Sequence, residues 1–289
     1  MKIVVTGAEG FTGSHFVKIA EMAGHEVLPV KVDLLDKAAL TAFLAKIQFD
    51  AVINFAGVSF VNNKDEIDFY AVNVLGAVNL LDALSCLPHD QLQSVLLVSS
   101  AQVYGNSVIS EIDETVPPAP NNHYAMSKLA MEYMCGTYLD LLPLMMVRPF
   151  NYTGPRQDLS FVIPKIVDHF GRRAQKIELG NVDVEREYND IRFVCNAYLA
   201  LLSHGRVGET YNLATGRPYK LRYILDLLTE MTGHIIEVRN NPSLMRQNEI
   251  QRLSGNPTKL GEALGPAAVN AEEFKLSDTL QWMIAESRS

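Results

Sequence analysis

The sequence predicts an α/β fold, a doubly wound parallel sheet followed by a smaller C-terminal lobe, on three observations. Short β-branched apolar runs alternate with stretches of helical periodicity through the first half. A glycine turn follows the first such run, and the texture changes after Pro149. The run Lys2-Ile-Val-Val-Thr6 is the kind that forms a strand buried on both faces. It opens into Gly7-Ala-Glu-Gly10-Phe-Thr-Gly13 and then into the apolar-periodic Phe16-Val17-Ile19-Ala20. Strand, glycine turn and helix are the context of a dinucleotide site. Gly7 would make the tight turn, Gly10 would admit a pyrophosphate to the helix N-terminus, and Gly13 would let helix pack on strand.

Further strands are expected near 26–30, 50–55, 94–99 and 144–148, with helices near 12–23, 37–46, 66–85 and 122–141. Alternation of this kind specifies a parallel sheet whose ligands sit at the C-terminal strand ends. After Pro149, Gly and Pro punctuate short segments at Gly154-Pro155, Pro164, Gly216-Arg-Pro218, Asn241-Pro242 and Asn256-Pro257. The expected division is a dinucleotide-binding domain over 1–150, rejoined by roughly 177–214, and a lobe built from roughly 151–176 and 215–289.

Composition narrows the function classes. A chain of 289 residues, 48% hydrophobic, can bury a large core. The formal charge of −8 with no basic block argues against non-specific nucleic-acid binding. No unbroken apolar run approaches the roughly 18 residues of a membrane span, and the N-terminus lacks a cleavable leader. A cytoplasmic location without membrane attachment is the expectation. Cys86, Cys135 and Cys195 are scattered, so they read as core or near-core thiols and neither a disulfide framework nor a metal cluster is expected.

Chemistry enters at Tyr124 and Lys128, in Tyr-Ala-Met-Ser-Lys, after the strand that ends in Val98-Ser-Ser100. A phenol titrates near pH 10, too high for easy proton exchange at pH 7 unless a cation stabilises the phenolate. Four residues apart on a helix, the two side chains share a face, and Lys128 can be that cation. Ser100 could hold the same substrate oxygen, making a proton-transfer site for carbonyl/alcohol interconversion. A tyrosine and lysine at this spacing also form an ordinary helical pair, so the surrounding motifs must decide.

Those motifs are Thr6-Gly-Ala-Glu-Gly-Phe-Thr-Gly13, Asn54-Phe-Ala-Gly57, Asn73-Val-Leu-Gly-Ala-Val-Asn-Leu80, Val98-Ser-Ser-Ala-Gln-Val-Tyr-Gly105, Tyr124 with Lys128, and Arg148-Pro-Phe-Asn-Tyr-Thr-Gly-Pro155. Together, over nearly the whole chain, they resemble the extended short-chain dehydrogenase/reductases that act on nucleotide sugars, a Rossmann-fold group. The resemblance implies Ser100, Tyr124 and Lys128 as the catalytic triad. It implies a cofactor site formed by Gly7, Gly10, Phe11, Gly13, Ala56 and Asn73, with Tyr124 and Lys128. In members that prefer NAD the second strand ends in an acid; here Lys31 stands there, which favours the 2′-phosphate of NADP, with NAD still possible. Asp33 and Leu34 look like the adenine-contacting pair, or else the approach to a helix capped by Asp36.

The resemblance also narrows the reaction. Dehydratases of the group carry acid and base after the triad serine; here those positions are Ala101 and Gln102. The epimerase-reductases use a cysteine in that turn and a histidine before Val-Ile-Pro; here Ala101 and Phe161 stand there. What remains is a 4-ketoreductase or a 4-epimerase. The C-terminal half resembles the GDP-4-dehydro-6-deoxy-D-mannose reductase branch, departing from it at Asn189 and at Arg246-Gln-Asn-Glu249, so the nucleobase stays open. The implied partner is a nucleotide-diphosphate sugar. Arg186 and Arg246 are candidates for its diphosphate and Asn151 for the sugar or phosphate side. Asp190-Ile-Arg192 reads as a structural turn, and His123 as an exposed helix-start residue. Apolar residues on more than one side of 66–85 and 122–141 imply a homodimer through those helices.

Overall fold

The structure, a computed structural model, describes residues 1–59, 65–88, 91–244 and 250–287. Five strands and their helices alternate as the sequence predicts: β1 Lys2–Thr6, α1 Phe11–Met22, β2 Glu26–Pro29, α2 Lys37–Leu44, β3 Ala51–Asn54, α3 Glu66–Tyr70, α4 Ala77–Ser85, β4 Ser94–Val98, α5 His123–Gly136 and β5 Leu144–Pro149. After these come β6 Tyr152–Thr153, α6 Val162–Gly171, β7 Lys176–Leu179, β8 Glu185–Glu187, β9 Asn189–Asp190, α7 Ile191–His204 and β10 Thr210–Leu213. The chain closes with β11 Pro218–Lys220, α8 Leu221–Thr232, β12 Glu237–Asn240, β13 Arg252–Leu253, α9 Thr258–Leu264 and α10 Leu276–Ser287.

Six strands form one parallel sheet in the order β10-β5-β4-β3-β1-β2. From β1 the chain goes outward to β2 and then returns to β3 on the other side, so the direction of winding reverses at β1/β3. At that reversal the loops leaving the two strand ends part, which opens a crevice for ligands. Strand side chains alternate between two cores. Ile3, Val5, Ile53 and Val147 pack with Phe16 of α1 and Val194, Tyr198 and Leu201 of α7. Val4, Val52, Val95 and Leu97 pack with Leu40 of α2, Leu80 and Leu84 of α4, and Met131 of α5. Burial on both faces is why these strands read as continuous apolar runs.

The helical segment 66–85 is continuous but not uniform. A π-helical turn over Ala71–Gly76 joins α3 to α4, an irregularity frequent at functional sites. By length and composition this segment could cross a bilayer, which the sequence expectation had discounted, yet half of the apolar stretch is buried inside the fold. Among its apolar positions Val74 and Leu81 are core, while Ile67 and Leu75 face outward.

Two boundaries and the burial of one cysteine differ from expectation. The helix expected over 122–141 stops at Gly136, where Thr137 Oγ1 donates to the Met134 carbonyl and the chain turns back toward β5. The expected return to the first domain at 177 begins instead near Ile191. Strand β7 pairs with β12, and β8 with β11 and β13, so 176–187 is built with the lobe, whereas α7 and β10 complete the central sheet and α9 packs beside them. Cys86 is exposed rather than core, because α4 ends at Ser85; Cys135 and Cys195 are buried.

The lobe has its own core, with Ile166 and Phe170 of α6, Ile224 and Leu228 of α8, and Leu280 and Met283 of α10. Two carboxylates tie it to the sheet. Glu187, fully buried, accepts hydrogen bonds from the Gly255 and Thr215 N–H groups (2.7 Å each) and from Asn189 Nδ2 (2.9 Å). Asp190 caps α7, is gripped by Arg192 and accepts from Thr279 Oγ1 of α10 at 2.6 Å, the structural role expected of that turn.

Candidate active site

A cleft of about 480 Å³ lies over the C-terminal ends of β1, β3, β4 and β5. The glycine turn forms one wall. Gly7 is held at φ +64°, and a Cβ there would sit 2.8 Å from the Ala56 nitrogen. A Cβ on Gly13 would sit 2.1 Å from the Gly7 carbonyl oxygen, so only glycine lets helix and turn close together. Gly10 caps α1 without a side-chain hydrogen bond, leaving the first-turn N–H groups directed at the cleft with the positive end of the helix dipole. Ser99 Oγ, buried at the cleft border, has no hydrogen-bond partner among the described residues. Open backbone donors, a cradle a side chain would fill and an orphaned hydroxyl together fit a dinucleotide pyrophosphate and nicotinamide end.

The three candidate catalytic groups line the same cleft. Ser100, past the end of β4, receives the Gln102 N–H on its Oγ at 3.2 Å and borders the cleft. Asn122 caps α5 by accepting from the Ala125 N–H at 2.8 Å, which fixes the helix start and so the direction of Tyr124. Phe69 packs edge-on against the Tyr124 ring at 6.0 Å. Lys128, one turn on, is buried and donates to the Val98 carbonyl at 2.9 Å. Burial pulls the lysine down to about 8, its pKa supported in part by the Glu132 charge.

The Tyr124 phenol lies above its ordinary value because burial outweighs the hydrogen bond from Ser100. Sequence reasoning expected Lys128 to depress it; in the structure desolvation prevails and the ammonium spends one proton on the strand carbonyl. The consequence suits reduction, since the phenol keeps its proton until a developing alkoxide takes it.

Asn73, on the π-helical turn, accepts from the Val58 N–H (2.9 Å) and donates to Ser127 Oγ (3.0 Å), which in turn donates to the Tyr124 carbonyl (2.8 Å). Gly57 lies so close that a Cβ would be 2.9 Å from Asn73 Oδ1 and 3.3 Å from Lys128 Nζ. Asn73 thus locks the loop after β3 onto α5.

Of the sequence-derived cofactor and substrate residues, Gly7, Gly10, Phe11, Gly13, Ser100, Tyr124, Lys128 and Asn151 border the cleft. Ala56 lies behind it, its N–H donating to Thr6 Oγ1 at 3.1 Å. Lys31 is exposed past the end of β2, outside the lining. The Asp33 carboxylate accepts from the Leu35 N–H (2.9 Å), Leu34 is buried in the second core, and Asp36 caps α2, so this stretch performs the capping approach as well. Arg186 is turned to backbone, donating to the Glu185 carbonyl at 2.8 Å and to that of Ile250, and does not border the cleft. Arg246 lies outside the described residues. His123 is an exposed helix-start residue bonded to Tyr70 and Glu66.

The structure adds residues that sequence reasoning passed over. Tyr152 lines the cleft, its hydroxyl 2.8 Å from Thr12 Oγ1 and its ring stacked on Phe11. Arg156, to which sequence reasoning assigned no site role, borders the cleft at φ +69°, its side chain 63% exposed and 3.8 Å from Glu286. A non-glycine residue in the left-handed region is uncommon and worth a functional reading. Its only sequence signal was its position after Gly154-Pro155.

A glycine-turn dinucleotide cleft facing serine, tyrosine and lysine defines an NAD(P)-dependent oxidoreductase. The profile of the NAD dependent epimerase/dehydratase family matches residues 3–214, and the chain belongs to that family. It is 35% identical to GDP-6-deoxy-D-talose 4-dehydrogenase of Aggregatibacter actinomycetemcomitans, over 92% of each chain. It is 34% identical to GDP-6-deoxy-D-mannose reductase of Pseudomonas aeruginosa, over 91% of each. The solved structure of RMD from Pseudomonas aeruginosa complexed with NADPH superimposes with a TM-score of 0.89 at 32% identity, covering 99% of this chain and 98% of that one.

Proposed function

We propose that this enzyme, a nucleotide-sugar-modifying member of its family, reduces the 4-keto group of a nucleotide-linked 4-dehydro-6-deoxyhexose of the GDP-mannose type, using NADPH or NADH. The carrying observation is a complete triad whose neighbours lack the extra acid and base: Ala101, Gln102 and Phe161 border the cleft at the positions where dehydratases and epimerase-reductases place theirs, and the one carboxylate among the described lining residues, Asp158, stands at neither position. None of the three exchanges a proton at pH 7.

Gly7, Gly10 and Gly13 with the α1 N-terminus would hold the cofactor pyrophosphate, and Lys128 the nicotinamide end. When bound, the reduced nicotinamide supplies the hydride. Ser100 Oγ holds the carbonyl oxygen of the substrate, and the Tyr124 hydroxyl transfers its proton to that oxygen as negative charge develops. Lys128 compensates the phenolate that remains. Asn151 and Arg156 face the sugar nucleotide. Lys128 and Arg156 are the two cations among the described cleft-lining residues, and of the two only Arg156 is exposed and free of the triad, so it is the one proposed for the diphosphate.

The test is loss of reduced-nicotinamide absorbance on adding GDP-, dTDP-, UDP- and CDP-linked 4-keto-6-deoxy sugars, with NADPH and NADH compared. Turnover that is fastest with the GDP sugar supports the reading. Interconversion of 4-epimers without added cofactor, and no net oxidation with any 4-keto sugar, would assign the 4-epimerase reading instead. Talose and mannose differ only at C4, so the configuration of the product reports which sugar face meets the nicotinamide. We also propose a homodimer, with a second copy covering Ile67, Leu75, Met126, Tyr133 and Met134, all exposed on α5 and the segment before it. Sedimentation as a single 32 kDa species would remove it.

A further inference from the structure

Beside the triad, α5 carries a buried charge that the reaction as described does not use. Glu132 stands four residues after Lys128 and is buried. Arg148 of β5 grips it with both arms of its fork, Nε to Oε1 at 2.9 Å and Nη2 to Oε2 at 2.6 Å. The remaining arm of Arg148 donates to the Tyr104 hydroxyl (2.9 Å), which donates to Asn212 Oδ1 of β10 (2.8 Å); Asn212 Nδ2 donates to the Ile112 carbonyl (2.9 Å). Arg148 therefore holds both carboxylate oxygens, and is itself held by Tyr104 and, through it, by Asn212 of β10. A buried ion pair of this kind is weak evidence of stabilisation, because desolvating two charges offsets their attraction. A role for its position has to be sought elsewhere.

We infer that Glu132, held in place by Arg148, is the counter-ion that keeps Lys128 charged in its buried position, and so is a positioning residue for the catalytic lysine. The surroundings leave no other candidate among the described residues. Lys128 makes its hydrogen bond to a neutral carbonyl, that of Val98. Tyr124 and Cys135 on the same helix are both raised by burial, the thiol to about 12, and are neutral at pH 7. On the elements packed against α5, Tyr104 is likewise raised and neutral, Asp82 is engaged by Lys37 and Tyr138, Glu66 by His123, and Asp68 is exposed. Burial lowers the lysine to about 8 while Glu132 works in the opposite sense. The sign follows: without the Glu132 charge the lysine loses its proton at a lower pH, and part of the population is uncharged at neutrality.

The inference rests on the role proposed for Lys128, so the test reads the lysine directly. The Lys128 ammonium is titrated by NMR in lysine-labelled full-length protein, without cofactor or sugar. The wild type should titrate near pH 8, Glu132→Asp close to it, and Glu132→Gln lower by about one unit or more. Because Glu132→Gln strands Arg148 and can unfold the chain, the neutral pair Glu132→Gln/Arg148→Gln is measured beside it and should show the same fall. The alkaline limit of NADPH binding should move down by the same amount. An unchanged lysine midpoint in a folded neutral variant overturns the inference. So does failure of the neutral pair to fold, which would leave the ion pair a purely structural tie. If Lys128 shifts as expected but the wild type binds no dinucleotide, the functional reading falls and the counter-ion role stands.

Discussion

The two walls of the cleft are built on different principles. The cofactor wall is backbone and buried side chains in fixed contact: Gly13 against the Gly7 carbonyl, Asn73 on Val58, Lys128 on Val98. The sugar wall presents Arg156, mostly exposed and loosely opposed to Glu286, while Arg186 is committed to carbonyls of its own lobe. The difference teaches that the groups proposed for hydride chemistry are held in place before a substrate arrives, whereas Arg156, proposed to meet the nucleotide sugar, is mostly exposed and lightly held. Preorganised groups tolerate no change; adaptable ones lose affinity by degrees.

The comparison can be broken first at its most rigid point. Tyr124→Phe should lower turnover about 10²- to 10⁴-fold with cofactor affinity nearly unchanged, because the ring still packs on Phe69 and only the proton is lost. Steady-state rates with a dinucleotide titration check it, and near-normal turnover would remove Tyr124 from the chemistry.

Next comes Gly13→Ala. Its Cβ would lie 2.1 Å from a backbone oxygen, so the turn must shift, and dinucleotide affinity should fall about 10- to 100-fold. Fluorescence titration measures it, and wild-type affinity would show that the turn is not the cofactor site.

Lys128→Met separates function from stability. In the folded chain the lysine sits near 8 against 10.5 unperturbed, so its charged form costs stability below about pH 8. That cost disappears as pH rises toward 10.5. The substitution should abolish turnover yet stabilise the fold at pH 7 by up to roughly 3 kcal/mol, less the lost bond to Val98, with the advantage shrinking by pH 10. Denaturant midpoints at the two pH values decide it; destabilisation at pH 7 would contradict the burial argument.

On the adaptable wall effects are smaller. Arg156→Ala should raise the substrate KM about tenfold, the loss of one charge-assisted hydrogen bond. Arg186→Ala should mainly lower the melting temperature by freeing the β8 and Ile250 carbonyls. The reverse pattern would return the diphosphate to Arg186. Least is expected of Lys31→Asp, a shift of roughly fivefold in the NADPH:NADH preference, since the residue is exposed and screened. An unchanged ratio would make Lys31 a solvated lysine.

What was legible follows the same divide. The five strands, the glycine turn and the triad were readable because each depends on local pattern: apolar runs buried on both faces, glycine where a Cβ has no room, and two side chains one helical turn apart. The lobe was not. Its strands are two to four residues long and pair across distant segments, β7 with β12 and β8 with β13, which no local pattern announces. Arg186 looked like a phosphate ligand because an arginine fork matches one, but the same fork matches backbone carbonyls.

By itself, then, the sequence determined the fold class, the glycine turn and the candidate catalytic groups, since these are set by residue type and short-range geometry. Tertiary structure alone decided that Arg156 and Tyr152 reach the cleft, that Arg186 does not, and that burial holds the Tyr124 proton in place. It also set Glu132 and Arg148 as a fixed pair beside Lys128. Such properties depend on which distant surfaces exclude water from which charge, and desolvation is a sum over the whole fold that no stretch of sequence contains.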